Sequence, residues 1–242
     1  MIHSLHAITI GSVKYGDSSL IANCFTLEFG LQSYMLKGIL TSKKNQKISK
    51  SYFEPLTLLE IQAPQNKENK LGYLKEVKLE YAYQSLPFDI KKKSVLFFLA
   101  EVIQQVVREE PQENSRLYRF LKGRLLWLDD IQKVDLFHIK FMLDLTKYIG
   151  FYPNLEDSHL PYFDLASGCM SNTKTKYSLE GRNKILLETL LGMKFDEKCK
   201  LKLEKEEKLE LLHHAITYFE LHLQQFKPPK SISVLHEVFS TS

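Results

Sequence analysis

Hydrophobic and polar positions alternate along the first 80 residues and then change period. Five short segments, residues 5–13, 20–28, 31–39, 52–62 and 71–80, read as strands. In the second, Ile21, Phe25, Leu27 and Phe29 fall on one face, and Ala22, Cys24, Thr26 and Glu28 on the other. That two-residue period belongs to a half-buried strand. Gly30, between Phe29 and Leu31, marks a tight turn, and the run KYGDSS at 14–19 holds the turn formers that a hairpin connection needs.

Beyond Pro87 the apolar residues recur every three or four positions. Residues 89–110 predict a helix with Val95, Leu99, Val102, Ile103 and Val106 along one side, stopped by Pro111. Ser115 is the expected cap of a second helix, whose stripe is Leu117, Phe120, Leu121, Leu125 and Leu128. Asp135 opens a third, which Gly150 ends with Pro153 beyond it. Further helices are expected at 178–191, 205–226 and 231–239, with Glu204 and Lys208 spaced for an ion pair. The pattern therefore predicts an α+β chain: a small five-stranded barrel, then helices. Periodicity alone allows either an OB-type or an SH3-like barrel.

Composition narrows the picture. A length of 242 residues suits two small domains. A net charge of +4 is compatible with a nucleic-acid partner without requiring one. Cys24, Cys169 and Cys199 are odd in number and far apart, which argues against a disulfide framework and for a reducing compartment. The opening MIHSLHAITI lacks the charge and apolar run of a signal peptide, and no stretch approaches the ~18 apolar residues of a membrane span. A soluble chain is expected. There is no P-loop, G-x-G-x-x-G, G-x-S-x-G or H-E-x-x-H, so neither catalysis nor a cofactor is expected. His213, His214 and His222 are poorly spaced for a shared metal, and Asp129-Asp130 reads as a solvated pair.

What remains is binding. Residues 29–53 contain no acidic side chain but carry Lys37, Lys43, Lys44, Lys47 and Lys50. A lysine-bearing loop at 41–51 suits phosphate contacts, which release counterions without fixed geometry; the alternative is an ordinary solvated loop. Tyr15, Tyr34 and Tyr52 could stack bases, Tyr34 first because its strand leads into the lysine loop; the alternative is core packing. Arg116, Arg119 and Arg124 share a helix with Trp127, the single tryptophan. Arginines beside an apolar groove suit an acidic, hydrophobic peptide terminus. Alternatively, Trp127 is core and the arginines are surface.

The runs KYGDSS (14–19), FGLQSYMLKG (29–38), FEPLTLLEI (53–61) and FHIKFMLDLTKYIGFYPNL (137–155) resemble the RecO family of bacterial recombination mediators. The resemblance selects an OB-fold five-stranded β-barrel at 1–83, as a DNA-binding domain, followed by an all-helical C-terminal domain at 84–242. It implies a non-enzymatic, cytoplasmic, nucleoid-associated protein of DNA repair and recombination. Such a protein binds single- and double-stranded DNA, anneals complementary strands and, with RecR, helps load RecA onto strands coated by single-stranded-DNA-binding protein (SSB). It also implies docking of the SSB C-terminal tail on the helical domain, to which Arg116, Arg119, Arg124 and Trp127 are assigned. The rival readings are a protein–protein adaptor of a repair complex and an RNA-binding OB-fold protein. Many family members carry a four-cysteine zinc site in the helical part. Residues 161–181 match that region but offer only Cys169, with His159 the nearest histidine, so a degenerate, metal-free zinc-finger-like segment is expected.

Overall fold

Strands β1 (Ile2–Tyr15), β2 (Ser19–Thr26) and β3 (Gly30–Leu36) form an antiparallel meander. Both expected turns are present, with Gly16 at φ 61° and Gly30 at φ 65°. A bulge between Thr9 and Gly11 bends β1, so that its first half pairs with β4 (Leu58–Pro64) and its second half with β2. The computed structural model describes residues 1–41, 48–65, 70–195 and 203–240. Within them the chain divides into two compact units, Met1–Gln132 and Lys133–Ser242.

Two expected strands change on folding. The segment 52–62 starts within a short 3-10 turn, Lys50–Phe53, which places Phe53 in the core. The segment 71–80 splits into β5 (Gly72–Tyr73), parallel to β3, and β6 (Glu76–Leu79), antiparallel to β4. The sheet order is β5-β3-β2-β1-β4-β6, so β5 and β6 are its two edges, yet only Leu74 and Lys75 separate them. Five strand spacings would hold the edges of a flat sheet about 24 Å apart. The three residue steps from Tyr73 to Glu76 reach only about 10 Å. The sheet must curl until its edges approach, giving an OB-type half-barrel, and the Lys75 N–H reaches the Gln62 carbonyl at 2.8 Å.

Inside the curl lie Leu5, Ala7, Leu20, Ala22, Cys24, Tyr34, Leu36, Phe53, Leu59 and Ile61. On β2 the smaller face turns inward, because the interior of a tight barrel alternates large and small residues. Burial pushes the Cys24 thiol up to about 12, against an opposing hydrogen bond with Thr9, which leaves it inert. Outside, Phe25 meets Tyr118 of α2 (Ser115–Asp130) at 6.3 Å between ring centroids, and α1 (Ile90–Glu109) packs on β1. A Cβ on Gly30 would sit 2.3 Å from the Pro111 carbonyl oxygen, which accepts the Leu31 N–H at 2.8 Å. Both the backbone angle and this close approach demand glycine there. The cap of α2 is Asn114, whose Oδ1 accepts the Leu117 N–H at 2.9 Å; Ser115, the expected cap, is the first helical residue.

In the second unit every residue of α3 (Phe137–Leu145) is buried, and Gly150 at φ 86° ends the turn that follows. Residues 161–181 hold a small sheet of β7 (Tyr162–Asp164), β8 (Cys169–Ser171) and β9 (Ser178–Leu179), in the order β8-β7-β9. Ser178 and Leu179 pair with β7, so the helix expected from 178 starts later, as α4 (Gly181–Gly192). The helices α5 (Lys205–His222) and α6 (Ile232–Ser240) complete the unit. Lys208 Nζ pairs with Asp135 Oδ1 at 2.7 Å rather than with Glu204, whose N–H bonds Glu207 Oε2 at 3.0 Å. The His222 ring stacks on Phe151 at 5.2 Å and its Nε2 lies 3.0 Å from the Leu165 carbonyl, so it is a packing residue. No helix among the described residues is long and apolar enough to cross a membrane.

Asp129 overturns its sequence reading: it is buried, at the end of α2, and ties the β6–α1 connection to that helix. Its carboxylate accepts the backbone N–H groups of Gln84, Ser85 and Leu86, each at 2.8 Å, and the Tyr81 hydroxyl at 3.2 Å. Its carbonyl accepts from the Ser85 hydroxyl and from the buried Lys92 Nζ at 2.6 Å, a cation at a helix C-terminus. Burial opposes ionisation, but the backbone and Ser85 hydrogen bonds outweigh it and hold the carboxyl below its usual 3.8. Replacing Asp129 by alanine leaves the backbone N–H groups of Gln84, Ser85 and Leu86 without their shared acceptor and should cost about 1–3 kcal/mol in denaturant unfolding. The expected sign with pH follows from the lowered folded value. The contribution is complete above 3.8 and lost as the pH falls through that lowered value, so Asp129→Asn should flatten the acid limb of the stability profile.

Candidate nucleic-acid interface

Within the first unit, α1 and α2 pack on the outer sheet face at β1 and at Phe25 of β2. Elsewhere on the sheet the register aligns Val13 with Ile21, Ile21 with Met35, and Met35 with Tyr73. These four side chains form one row across β1, β2, β3 and β5. Val13 is 51% exposed and Tyr73 59% exposed, large values for apolar residues at a sheet surface. On one side Asn23 and Ser33 pair across the strands, Ser33 Oγ lying 2.7 Å from Asn23 Oδ1. On the other side lie Tyr15, 57% exposed, opposite Ser19, and the exposed Lys37 just beyond β3. A cleft of about 760 Å³ opens beside the row, lined by Met35, Lys37, Ile48, Leu71, Tyr73 and Leu74. Apolar and aromatic faces edged by lysine can stack bases while neutralising phosphates.

The expected residues divide accordingly. Lys37 and Lys50 are exposed, Lys37 at the cleft and Lys50 at the start of the 3-10 turn. Lys43, Lys44 and Lys47 lie outside the described residues. Tyr34 is fully buried in the barrel core and has no ring face for a base. Alternation along β3 sends Tyr34 and Leu36 inward and Met35 outward, and burial raises the Tyr34 pKa. Tyr52 packs against the same core, which leaves Tyr15 exposed among the tyrosines first considered. Sequence reasoning missed Tyr73, Val13 and Met35. The alternation of β3 carried the signal for Met35, but the two-residue pairing that brings Tyr73 beside it had none.

On α2, Arg116 and Arg119 are exposed, and Arg124 and Trp127 are half-buried. At about 100° per residue, Arg116, Phe120, Arg124 and Trp127 lie within about 80° of one another. The Arg124 guanidinium lies over the Phe120 ring at 5.6 Å, so the helix does gather cationic and aromatic groups on one side.

Among the described residues one group has metal-ligand spacing: His6, Glu60 and Glu80, whose ligand atoms lie within 4.8 Å of one another. His6 Nδ1 is 2.8 Å from Glu80 Oε1, and the Lys122 ammonium bonds that same oxygen. The Lys122 ammonium already supplies a positive charge to Glu80, so the cluster is an ion pair with a histidine beside it.

A curled OB sheet with a bare, lysine-edged outer face, continued by helices, defines an OB-fold protein with a helical C-terminal part. Within that class the chain belongs to a family of DNA repair proteins, recombination protein O: the model described as "Recombination protein O N terminal" matches residues 1–83, and "Recombination protein O C terminal" matches residues 87–232. It is similar to the DNA repair protein RecO of Christiangramia forsetii, at 40% identity over 99% of each chain. It is also similar to the DNA repair protein RecO of Flavobacterium psychrophilum, at 39% identity over 97% of this chain and 98% of that one. Another relative is the DNA repair protein RecO of Phocaeicola vulgatus, at 29% identity over 99% and 100%.

Proposed function

We propose that this chain is a recombination mediator that binds single- and double-stranded DNA through the open face of its OB sheet. The observation that carries this reading is the row Val13, Ile21, Met35 and Tyr73, uncovered by either helix of its unit and flanked by Lys37. An exposed apolar row of this kind marks an interaction surface. Bases of a single strand stack on it, while Lys37, Lys50 and the lysines of the 41–51 loop meet the backbone. Neutralising two strands at once lowers their mutual repulsion and allows complementary strands to anneal without ATP or catalysis. Docking of the acidic SSB tail on the α2 arginines brings the mediator to coated strands, where with RecR it helps load RecA. The family resemblance supports these partners, together with action in the bacterial cytoplasm at the nucleoid.

The rivals make different predictions. An adaptor without DNA binding shows no salt-dependent retention on single-stranded DNA, and an RNA-binding protein prefers RNA when DNA and RNA of equal length compete. Within the mediator reading, replacing Lys43, Lys44 and Lys47 together by alanine should weaken binding for all sequences alike. On single strands the salt slope should fall by about 0.7 for each phosphate that is no longer neutralised; an unchanged slope makes the loop a bystander.

Tyr73→Ala should cost about 1–3 kcal/mol in single-strand affinity, the worth of one stacked base, whereas Tyr34→Phe should cost none. A titration in which Tyr73→Ala binds like the parent removes the row from the interface.

For the tail, Arg124→Glu should weaken binding of an acidic C-terminal peptide most, because its guanidinium is half-buried against Phe120. Arg116→Glu and Arg119→Glu are exposed and should cost about 1 kcal/mol or less each. DNA affinity of the same full-length variants should change little. Unaltered peptide binding by all three moves the tail site off α2.

A further inference from the structure

The small sheet of the second unit closes on four oxygen-bearing side chains in two pairs of identical spacing: Asp164-x-x-Ser167 and Thr175-x-x-Ser178. Each pair straddles a tight turn. In the first, the Gly168 N–H returns to the Asp164 carbonyl at 2.9 Å, with Gly168 at φ 68°. The Asp164 carboxylate accepts the backbone N–H of Ser167 at 2.9 Å and also that of Ala166. In the second, the Ser178 N–H bonds the Thr175 carbonyl at 3.3 Å. Thr175 Oγ1 accepts the Tyr177 N–H at 3.1 Å, and Ser178 Oγ accepts the Thr175 N–H at 2.8 Å. The turns are then joined side chain to side chain. Thr175 Oγ1 donates to Asp164 Oδ1 at 2.5 Å and lies 3.3 Å from Ser178 Oγ.

Two facing turns, each with its polar residues three apart and its leading side chain held by the turn's own N–H groups, have the layout of a structural zinc site built from two close pairs of ligands. No position of the two pairs carries sulfur or imidazole. The cysteine nearby, Cys169, is exposed and opposes Asp164 across the β7–β8 ladder, outside both pairs. One carboxylate and three hydroxyls are a poor donor set for zinc, but they complement one another, since the carboxylate only accepts and the hydroxyls also donate.

We propose that these four residues are an oxygen-only clasp that pins the two turns of the sheet by hydrogen bonding, in the layout of a two-turn zinc site but without an ion. A clasp is needed because strands of two or three residues do not hold a sheet by themselves. Asp164 is equipped to serve as its anion. Burial opposes ionisation, yet the hydrogen bonds from Thr175, Ser167 and Ala166 outweigh that and lower its pKa. The clasp also fixes the surface that α5 packs against. The Tyr218 hydroxyl lies only 2.6 Å from where a Gly168 Cβ would stand, and His222 reaches the Leu165 carbonyl.

Two sets of full-length variants test this. Asp164→Ala removes the shared acceptor and should speed amide exchange at Leu165, Gly168 and Ser178 about tenfold or more, with Asp164→Asn between it and the parent. In the parent, chelator should leave Tm unchanged and metal analysis should find well under one zinc per chain. The combination D164C, S167C, T175C and S178C, in a Cys169→Ser background, should bind one Co(II) per chain with the visible bands of tetrahedral thiolate coordination, and chelator should then lower its Tm. Stoichiometric zinc in the parent, or unchanged exchange in Asp164→Ala, overturns the clasp. A folded four-cysteine variant that binds no cobalt overturns the zinc-site layout. If that variant does not fold, the exchange measurement alone decides.

Discussion

Leu74 and Lys75 join strands at opposite edges of a six-stranded sheet, and this short connection dictates most of what the first unit can do. With about 10 Å of chain to span what would be about 24 Å in a flat sheet, curling is a geometric necessity rather than a preference. Curling decides which face of each strand is enclosed, and hydrophobicity alone does not. Ala22 and Cys24 share the interior with Tyr34 and Phe53, so by alternation Ile21 and Met35, apolar though they are, turn outward. The exposed row is therefore a product of closure. The same step leaves as sheet edges only β5 and β6, of two and four residues, and edges so short offer other chains little to pair with.

Closure leaves the chain emerging from β6 with a connection to α1 whose backbone donors have no strand to pair with. Asp129 answers three of them at once. Charge-assisted hydrogen bonds are roughly twice as strong as neutral ones, and a single carboxylate offers about four acceptor sites. The buried Lys92 ammonium on the same residue's carbonyl supplies nearby positive charge. The two act on different groups: Lys92 serves the carbonyl at the end of the helix, and the carboxylate serves the backbone N–H groups of Gln84, Ser85 and Leu86.

Much of this architecture was legible in the sequence. The positions of β1, β2 and β3, the glycine turns, the stops at Pro111 and Gly150, and the apolar stripes of α1 and α2 all follow from period and turn chemistry. What was not legible shares one cause: it depends on partners distant in sequence. Periodicity separates two faces of β3 but does not say which is inside, so Tyr34 reads as an equal candidate for stacking until the curl decides. Asp129 beside Asp130 looks solvated because its partners are backbone N–H groups some 43 to 45 residues away, which leave no mark in composition. Ser178 and Leu179 look helical because a two-residue strand is too short to impose a period.

The two units meet a similar shortage with the same device. In the first, a connection lacks acceptors; in the second, a sheet of very short strands lacks cohesion. In each case one buried carboxylate, Asp129 or Asp164, gathers backbone N–H groups of its surroundings and stays ionised because those bonds outweigh the cost of burial. A thiolate-bound metal could do the second task, but it would tie stability to metal supply and to reduced cysteines. Carboxylates exchange that dependence for another. The two anchors lose their hold only in acid, far from neutral pH, and both lose it through protonation of a group held below its usual range. Oxidation of Cys169, the exposed thiol beside the clasp, touches neither anchor, since no bond of the clasp runs through sulfur.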